Sequence, residues 1–224
     1  MGQRGVSLSC FDLIVFDWDG TLMDSAGAIV SALQQACRDL GIEPPSDARA
    51  SHIIGLGLRD ALVSALPDLP EAQYKPLAER YRSHFLAGDS TLEMFAGIPE
   101  LLTALADSGR RLAVATGKTR KGLQRALAGS GVETLFQASR CADECHSKPH
   151  PQMLEELMQE LDVASSRTLM IGDTTHDLLM ARNAGVGALG VSYGAHPREE
   201  LLALQPLHCA ASVVELRQWL ETHA

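Results

Sequence analysis

The chain has 224 residues, of which 46% are hydrophobic and 21% charged; that is enough apolar material for a packed core and excludes wholesale disorder. Aromatic residues make up only 4%, so the core is aliphatic, and a formal charge of -9 with no basic stripe excludes nucleic acid as the expected partner. No apolar run approaches the roughly 18 residues of a membrane-crossing helix, and Met1 to Val6 lacks the apolar stretch of a secretory signal, so neither a membrane nor a leader is expected. The five cysteines, Cys10, Cys37, Cys141, Cys145 and Cys209, are odd in number and scattered, which is no disulfide framework and points to a reducing cytoplasm.

In chain order, residues 12–17 (Asp-Leu-Ile-Val-Phe-Asp) form a short apolar run ending in an acid. From about 24 to 90 there are helical patterns and no strand. Ile29, Val30, Leu33, Ala36, Cys37 and Leu40 keep a helix period up to Gly41; further helical stretches lie near 58–66 and 71–87, separated by Pro67 and Pro70. A return hinge is expected between Asp89 and Gly97. Beyond it, strand and helix alternate. Helices are expected at 98–107, 119–128 (capped by Thr119), 151–161 (opened by Pro151), 175–184 and 213–221. Strands are expected at 111–116, near 134–139, at 168–173 and at 187–191, the runs being too short for helices and not alternating, as buried parallel strands read. The fold class is therefore α/β, a doubly wound parallel sheet, with residues 1–22 and 93–224 as the core domain and 23–92 as an inserted helical domain.

In such a sheet, ligands bind outside the carboxyl ends of the strands. Asp17, Thr116 and Asp173 each stand at such an end, so they converge if their strands are neighbours. Asp17 and Asp19 are two acids beside a Gly turn, and such a pair repels unless a cation neutralises it. Mg²⁺, with its oxygen ligands and its taste for phosphate, suits a site of this kind.

Four separated stretches then carry a resemblance: Asp17-Trp18-Asp19-Gly20-Thr21, Ala115-Thr116-Gly117-Lys118, Ser147-Lys148-Pro149-His150-Pro151, and Gly172-Asp173-Thr174-Thr175-His176-Asp177. Together, in this order, they resemble the haloacid dehalogenase-like hydrolase superfamily, near its phosphoglycolate phosphatase-like branch, and the helical insertion is similar to that branch's small cap. The resemblance implies a Rossmann-like core and a phosphatase acting on a small phosphorylated metabolite, phosphoglycolate first. It makes Asp17 the nucleophile that forms an aspartyl-phosphate and Asp19 the general acid and base. Thr116, the Gly117 N–H and Lys148 would bind the phosphoryl group, Gly20 would turn the chain, and Mg²⁺ would be held by Asp17, the main-chain carbonyl of Asp19, and Asp173. Asp177 is either an outer ligand or the partner that orients Lys148. Asp19 argues against dehalogenase and phosphonate-cleaving chemistry; a phosphosugar mutase of the β-phosphoglucomutase type and a non-catalytic binding module are the alternatives. A monomer or homodimer is expected.

Other residues have plainer readings. Trp18 is core packing. Cys141, Cys145 and His146 lack a fourth ligand for a zinc site. His150 and His176 flank the active edge as loop or supporting residues, either able to touch substrate, and Lys118, Arg120 and Lys121 read as a solvated helix start. In the cap, Gly55 and Gly57 mark a bend or a close approach, and Arg59 is a candidate for reading a substrate carboxylate.

Overall fold

A computed structural model describes residues 11–88 and 91–223. Cys10, the Met1 to Val6 segment and the first two residues of the expected return hinge lie outside them. The core is a six-stranded sheet, parallel throughout, built from β1 (Leu13–Phe16), β2 (Arg111–Thr116), β3 (Ala138–Cys141), β4 (Thr168–Gly172), β5 (Gly187–Val191) and β6 (His208–Ala210), in the order β3-β2-β1-β4-β5-β6. β1 thus lies between β2 and β4, where the order reverses, which is the place such sheets bind ligands.

Alternation along these strands decides which helices cover which face. Ile14, Phe16, Leu112, Val114, Leu169 and Ile171 pack with α5 (Ile98–Asp107), α6 (Arg120–Ser130) and α10 (Val213–His223). Leu13, Val15, Ala113, Ala115 and Met170 pack with α7 (Gln152–Glu160) and α8 (Thr175–Ala184). Both faces being covered, the central strands β1, β2 and β4 are apolar along most of their length, and that is why they read as continuous runs.

The insertion comprises α1 (Ala26–Asp39), α2 (Asp47–His52), α3 (Leu58–Ala65) and α4 (Glu71–Gly88) around a cluster of their own that includes Leu33, Ala36, Leu62, Ala65, Tyr74 and Leu77. The two chain crossings run side by side: Asp24 N–H donates to Glu93 O at 3.0 Å and Phe95 N–H to Leu22 O at 3.0 Å.

The structure departs from the sequence expectation at four places. The strand expected near 134–139 begins late: residues 133–135 form a 3₁₀ turn, and β3 starts at Ala138. The short elements α2, α9 (Arg198–Ala203) and β6 have no counterpart in the expectation. Among the described residues no helix is long and apolar enough to cross a membrane, and Cys37, Cys141, Cys145 and Cys209 are free thiols.

Candidate active site

Asp17 and Asp173, at the ends of neighbouring strands, meet as the strand order requires. Asp17 follows β1, Thr116 ends β2 and Asp173 follows β4, and all three are buried. Carboxylate oxygens of Asp17, Asp173 and Asp177 lie within 4.8 Å of one another. Three buried acids at this separation need a cation, and Lys148 is one: its Nζ is 2.9 Å from Asp17 Oδ1 and 2.6 Å from Asp177 Oδ1. Burial works against the ammonium, but the two carboxylates outweigh it and hold the Lys148 pKa above its ordinary value.

One lysine is not enough for three acids. Burial holds Asp17 well above the usual carboxylate range despite the attraction of Lys148, with Asp177 and Asp173 pushing the same way. Asp173 is pushed up to about 7, by burial first and then by Asp177. The oxygens are unequally satisfied. Asp173 Oδ1 accepts from Thr21 Oγ1 at 2.7 Å and Oδ2 from the Ala195 N–H at 2.8 Å. Asp177 Oδ2 accepts from the Thr174 N–H and hydroxyl, closing a capping box at the start of α8. Both Asp177 oxygens are therefore engaged, and of the two roles open from sequence its contacts match the orienting of Lys148. Asp17 Oδ1 accepts from the Trp18 N–H at 2.7 Å, while Asp17 Oδ2 is buried with no hydrogen-bond partner. A buried carboxylate oxygen with nothing to bond is costly, and its residue belongs to the cluster of three acids.

Gly20 has φ of +78°, and a Cβ there would sit 2.2 Å from Asp173 Oδ2; only glycine lets the turn after Asp19 pass this carboxylate. Asp19 points elsewhere. Its Oδ1 accepts from Ser25 Oγ at 2.7 Å and faces Lys118 Nζ at 3.0 Å, apart from the acidic trio.

The insertion covers the site. A Cβ on Gly117 would lie 2.5 Å from Leu56 O and 2.6 Å from Gly55 O, and one on Gly55 3.6 Å from Asp17 Oδ2. The Gly57 N–H donates to Ser147 Oγ at 3.0 Å, and His176 Nε2 meets His52 O at 2.8 Å. Gly55 is thus a close approach of the cap to the acids, one of the two readings open for it. Beside Asp19, between α1, α3, α4 and the first turns of α6, lies a cavity of about 480 Å³.

Several expectations need correction. Arg59 does not reach the site: on α3 the buried face is Ala61, Leu62 and Ala65, so Arg59 points outward, where it pairs with Glu71 at 2.6 Å with both side chains mostly exposed. Lys118 is not solvated; only 11% of its side chain is exposed, it pairs with Asp19 and its ammonium lies 4.8 Å from the centre of the Phe85 ring. Of its neighbours, Arg120 is tied to Glu144 at 2.6 Å and Lys121 lines the cavity. Ser25 was missed altogether; a serine just before α1 carried no signal. Cys141 and Cys145 belong to no metal-like cluster among the described residues, and burial raises their thiols to about 12 and about 11. Trp18 is fully buried against Phe136.

A family model for haloacid dehalogenase-like hydrolases matches residues 14–191. Among curated proteins, a probable phosphatase, IndB, of Dickeya dadantii is 40% identical over 87% of this chain and 86% of its own. A 5'-nucleotidase of Pseudomonas aeruginosa is 36% identical over 94% and 96%. A phosphoglycolate phosphatase of Agrobacterium fabrum is 35% identical over 81% of each. A crystal structure of a predicted phosphatase from Clostridium acetobutylicum superimposes with a TM-score of 0.84 at 26% identity, covering 95% of this chain and 99% of that one.

Proposed function

Since the chain belongs to the haloacid dehalogenase-like hydrolase family and is a phosphoric monoester hydrolase, we propose that it hydrolyses a small phosphorylated metabolite in the cytoplasm, with Mg²⁺, through an aspartyl-phosphate on Asp17. The observation that carries this reading is Asp17 Oδ2: a buried carboxylate oxygen without a partner, beside two further acids. That orphaned acceptor and the carboxylate donors beside it fit a hard divalent cation. Asp17, Asp173 and the main-chain carbonyl of Asp19 would hold it. A Mg²⁺ ion held there would offset the clustered negative charge and supply Lewis-acid polarisation of a phosphoryl oxygen.

The chain's own groups divide the remaining work. An Asp17 carboxylate oxygen attacks phosphorus as the ester P–O bond breaks, and Asp19 gives its proton to the departing alcohol oxygen. Asp19 then takes a proton from water, whose oxygen attacks the aspartyl-phosphate and releases inorganic phosphate. Lys148 keeps Asp17 aimed and, together with the cation, favours its ionised form, and its own position is set by Asp177. The Thr116 hydroxyl and the Gly117 N–H stand at the end of β2 to donate to the phosphoryl oxygens. Loss of one such donor costs about 3 kcal/mol, roughly a hundredfold in rate. Gly55, packed over Asp17, keeps bulk water from the acyl phosphate.

The test is phosphate release from a phosphomonoester panel with Mg²⁺, its loss with EDTA, and its return when Mg²⁺ is restored. Asp17→Asn is expected to abolish release while circular dichroism stays native; near-normal turnover by that variant would remove Asp17 as nucleophile. Isomerisation of a hexose phosphate faster than its hydrolysis would turn the reading to a mutase. A protein that turns over no ester would be a binding module. Phosphoglycolate is the first substrate the resemblance names.

A further inference from the structure

We infer that the alcohol half of the substrate is a bulky, largely apolar body, an aromatic ring or an alkyl chain of about six carbons, rather than a two-carbon acid or a polyhydroxylated sugar. The inference rests on the phosphomonoesterase reading and adds the class of leaving group.

Three observations carry it. The first is size. The cavity next to Asp19 measures about 480 Å³, within the roughly 300–1,000 Å³ of pockets that enclose mid-sized organic molecules; a two-carbon alcohol leaves most of it to water. The second is the separation of polar from apolar lining. Asp19, Lys118, Lys121, Arg125 and Asp143 come from the core side and Arg82 from α4, whereas the wall given by α1 and α3 is Ile29, Leu33, Leu58, Ala61 and Leu62. A sugar hydroxyl pressed on that wall loses its water and finds no partner. The third is that folding does not account for all of these side chains. Phe85 and Leu86 line the cavity yet belong to none of the hydrophobic clusters formed among the described residues. Leu86 is 45% exposed there. Large, part-exposed apolar groups beside an open space are a surface for an apolar ligand. The position fits the reaction as well: Asp19, the proposed donor to the leaving oxygen, lies at the cavity wall, so the departing alcohol extends into it.

The test is kcat/KM for ethyl, butyl and hexyl phosphate, with phosphoglycolate and glucose 6-phosphate alongside. The three alkyl esters share one kind of leaving oxygen, so differences among them report the body and not its acidity. Each methylene that leaves water raises kcat/KM by up to about fourfold, so hexyl should exceed ethyl by roughly thirty- to two-hundredfold and exceed both polar esters. Phe85→Ala should lower the hexyl-to-ethyl ratio. All esters hydrolysed with a hexyl-to-ethyl ratio below about three, or phosphoglycolate or glucose 6-phosphate preferred to hexyl, would overturn the apolar assignment and leave the phosphatase standing. No hydrolysis of any ester would overturn both.

Discussion

Gly117→Ala isolates the contact between cap and core. The methyl group would appear 2.5 Å from Leu56 O and 2.6 Å from Gly55 O, and ordinary contact begins at 3.4 Å, so the cap loop has to retreat by about 0.9 Å. These are backbone atoms and cannot rotate away. The loop is held where it is by the Gly57 N–H on Ser147 Oγ at 3.0 Å and by His52 O against His176 Nε2, and a retreat of that size stretches the first beyond hydrogen-bond length. It also lifts Gly55 from Asp17 and opens the site to water. Misplacements near 1 Å cost on the order of a hundredfold in rate, so kcat/KM for the best phosphate ester should fall about thirty- to a hundredfold. The Gly117 N–H is retained, and its φ is not in the left-handed region, so the denaturation midpoint should change little. Gly129→Ala on α6 is the control: nothing lies within 4 Å of its Cβ, and a helical Gly→Ala exchange is neutral or gains up to about 1 kcal/mol. Steady-state kinetics and urea melts on both variants decide the matter. A Gly117→Ala enzyme within about threefold of the parent would refute the claim that catalysis needs the cap seated as described.

Three further outcomes follow from the site's contacts. Arg59→Ala should leave kcat/KM unchanged for carboxylated and uncarboxylated esters alike, because the side chain pairs with Glu71 at the surface; a loss of about tenfold confined to carboxylated esters would return Arg59 to the site. Asp177→Ala strips one of two partners from the buried Lys148 and removes the capping box of α8, and should lower unfolding free energy by about 3–5 kcal/mol; a urea midpoint equal to the parent's would contradict that. The Asp173 pKa, pushed up to about 7 from an ordinary 3.8, gives a sign for pH dependence. Between these values the folded, metal-free protein holds a proton that the unfolded chain releases, so this group's contribution to stability falls as pH rises from about 4 to about 7, by up to about 4 kcal/mol. Mg²⁺ favours the ionised carboxylate, so its effect on the melting temperature should be larger at pH 8 than at pH 5, and equal shifts at both would count against Asp173 as a ligand.

The sheet was legible in the residues because its central strands are buried on both faces. The 13–16, 111–116 and 168–172 runs needed only their apolarity to be read, and α5 and α8 only their period and terminal glycines. β3 was misplaced because Ala-Ser-Arg-Cys, half-buried at the sheet edge, carries no apolar run. α2 buries a single alanine and β6 has three residues, too little for any period to register. In the site, Asp17, Thr116 and Asp173 followed from strand ends, but a choice between two roles for Asp177 required the 2.6 Å contact with Lys148. Lys118 was misread because its partner, Asp19, is distant in sequence, and a short basic run looks the same whether it faces water or an acid. Arg59 lies off the apolar stripe of Leu58, Ala61, Leu62 and Ala65, and that period was the signal that turns it outward.

The sheet order has a consequence for how the molecule is made. Leu13 pairs with Arg111 on one side and with Thr168 on the other, so β1 emerges from the ribosome long before either neighbour exists. The four helices translated next contact one another, α1 with α4 above all, and can collapse on their own cluster while β1 waits. Closing those long loops is entropically slow. Asp17 therefore acquires its surroundings late in biogenesis, and a nascent chain halted before β4 would hold an exposed, aggregation-prone Leu-Ile-Val-Phe edge.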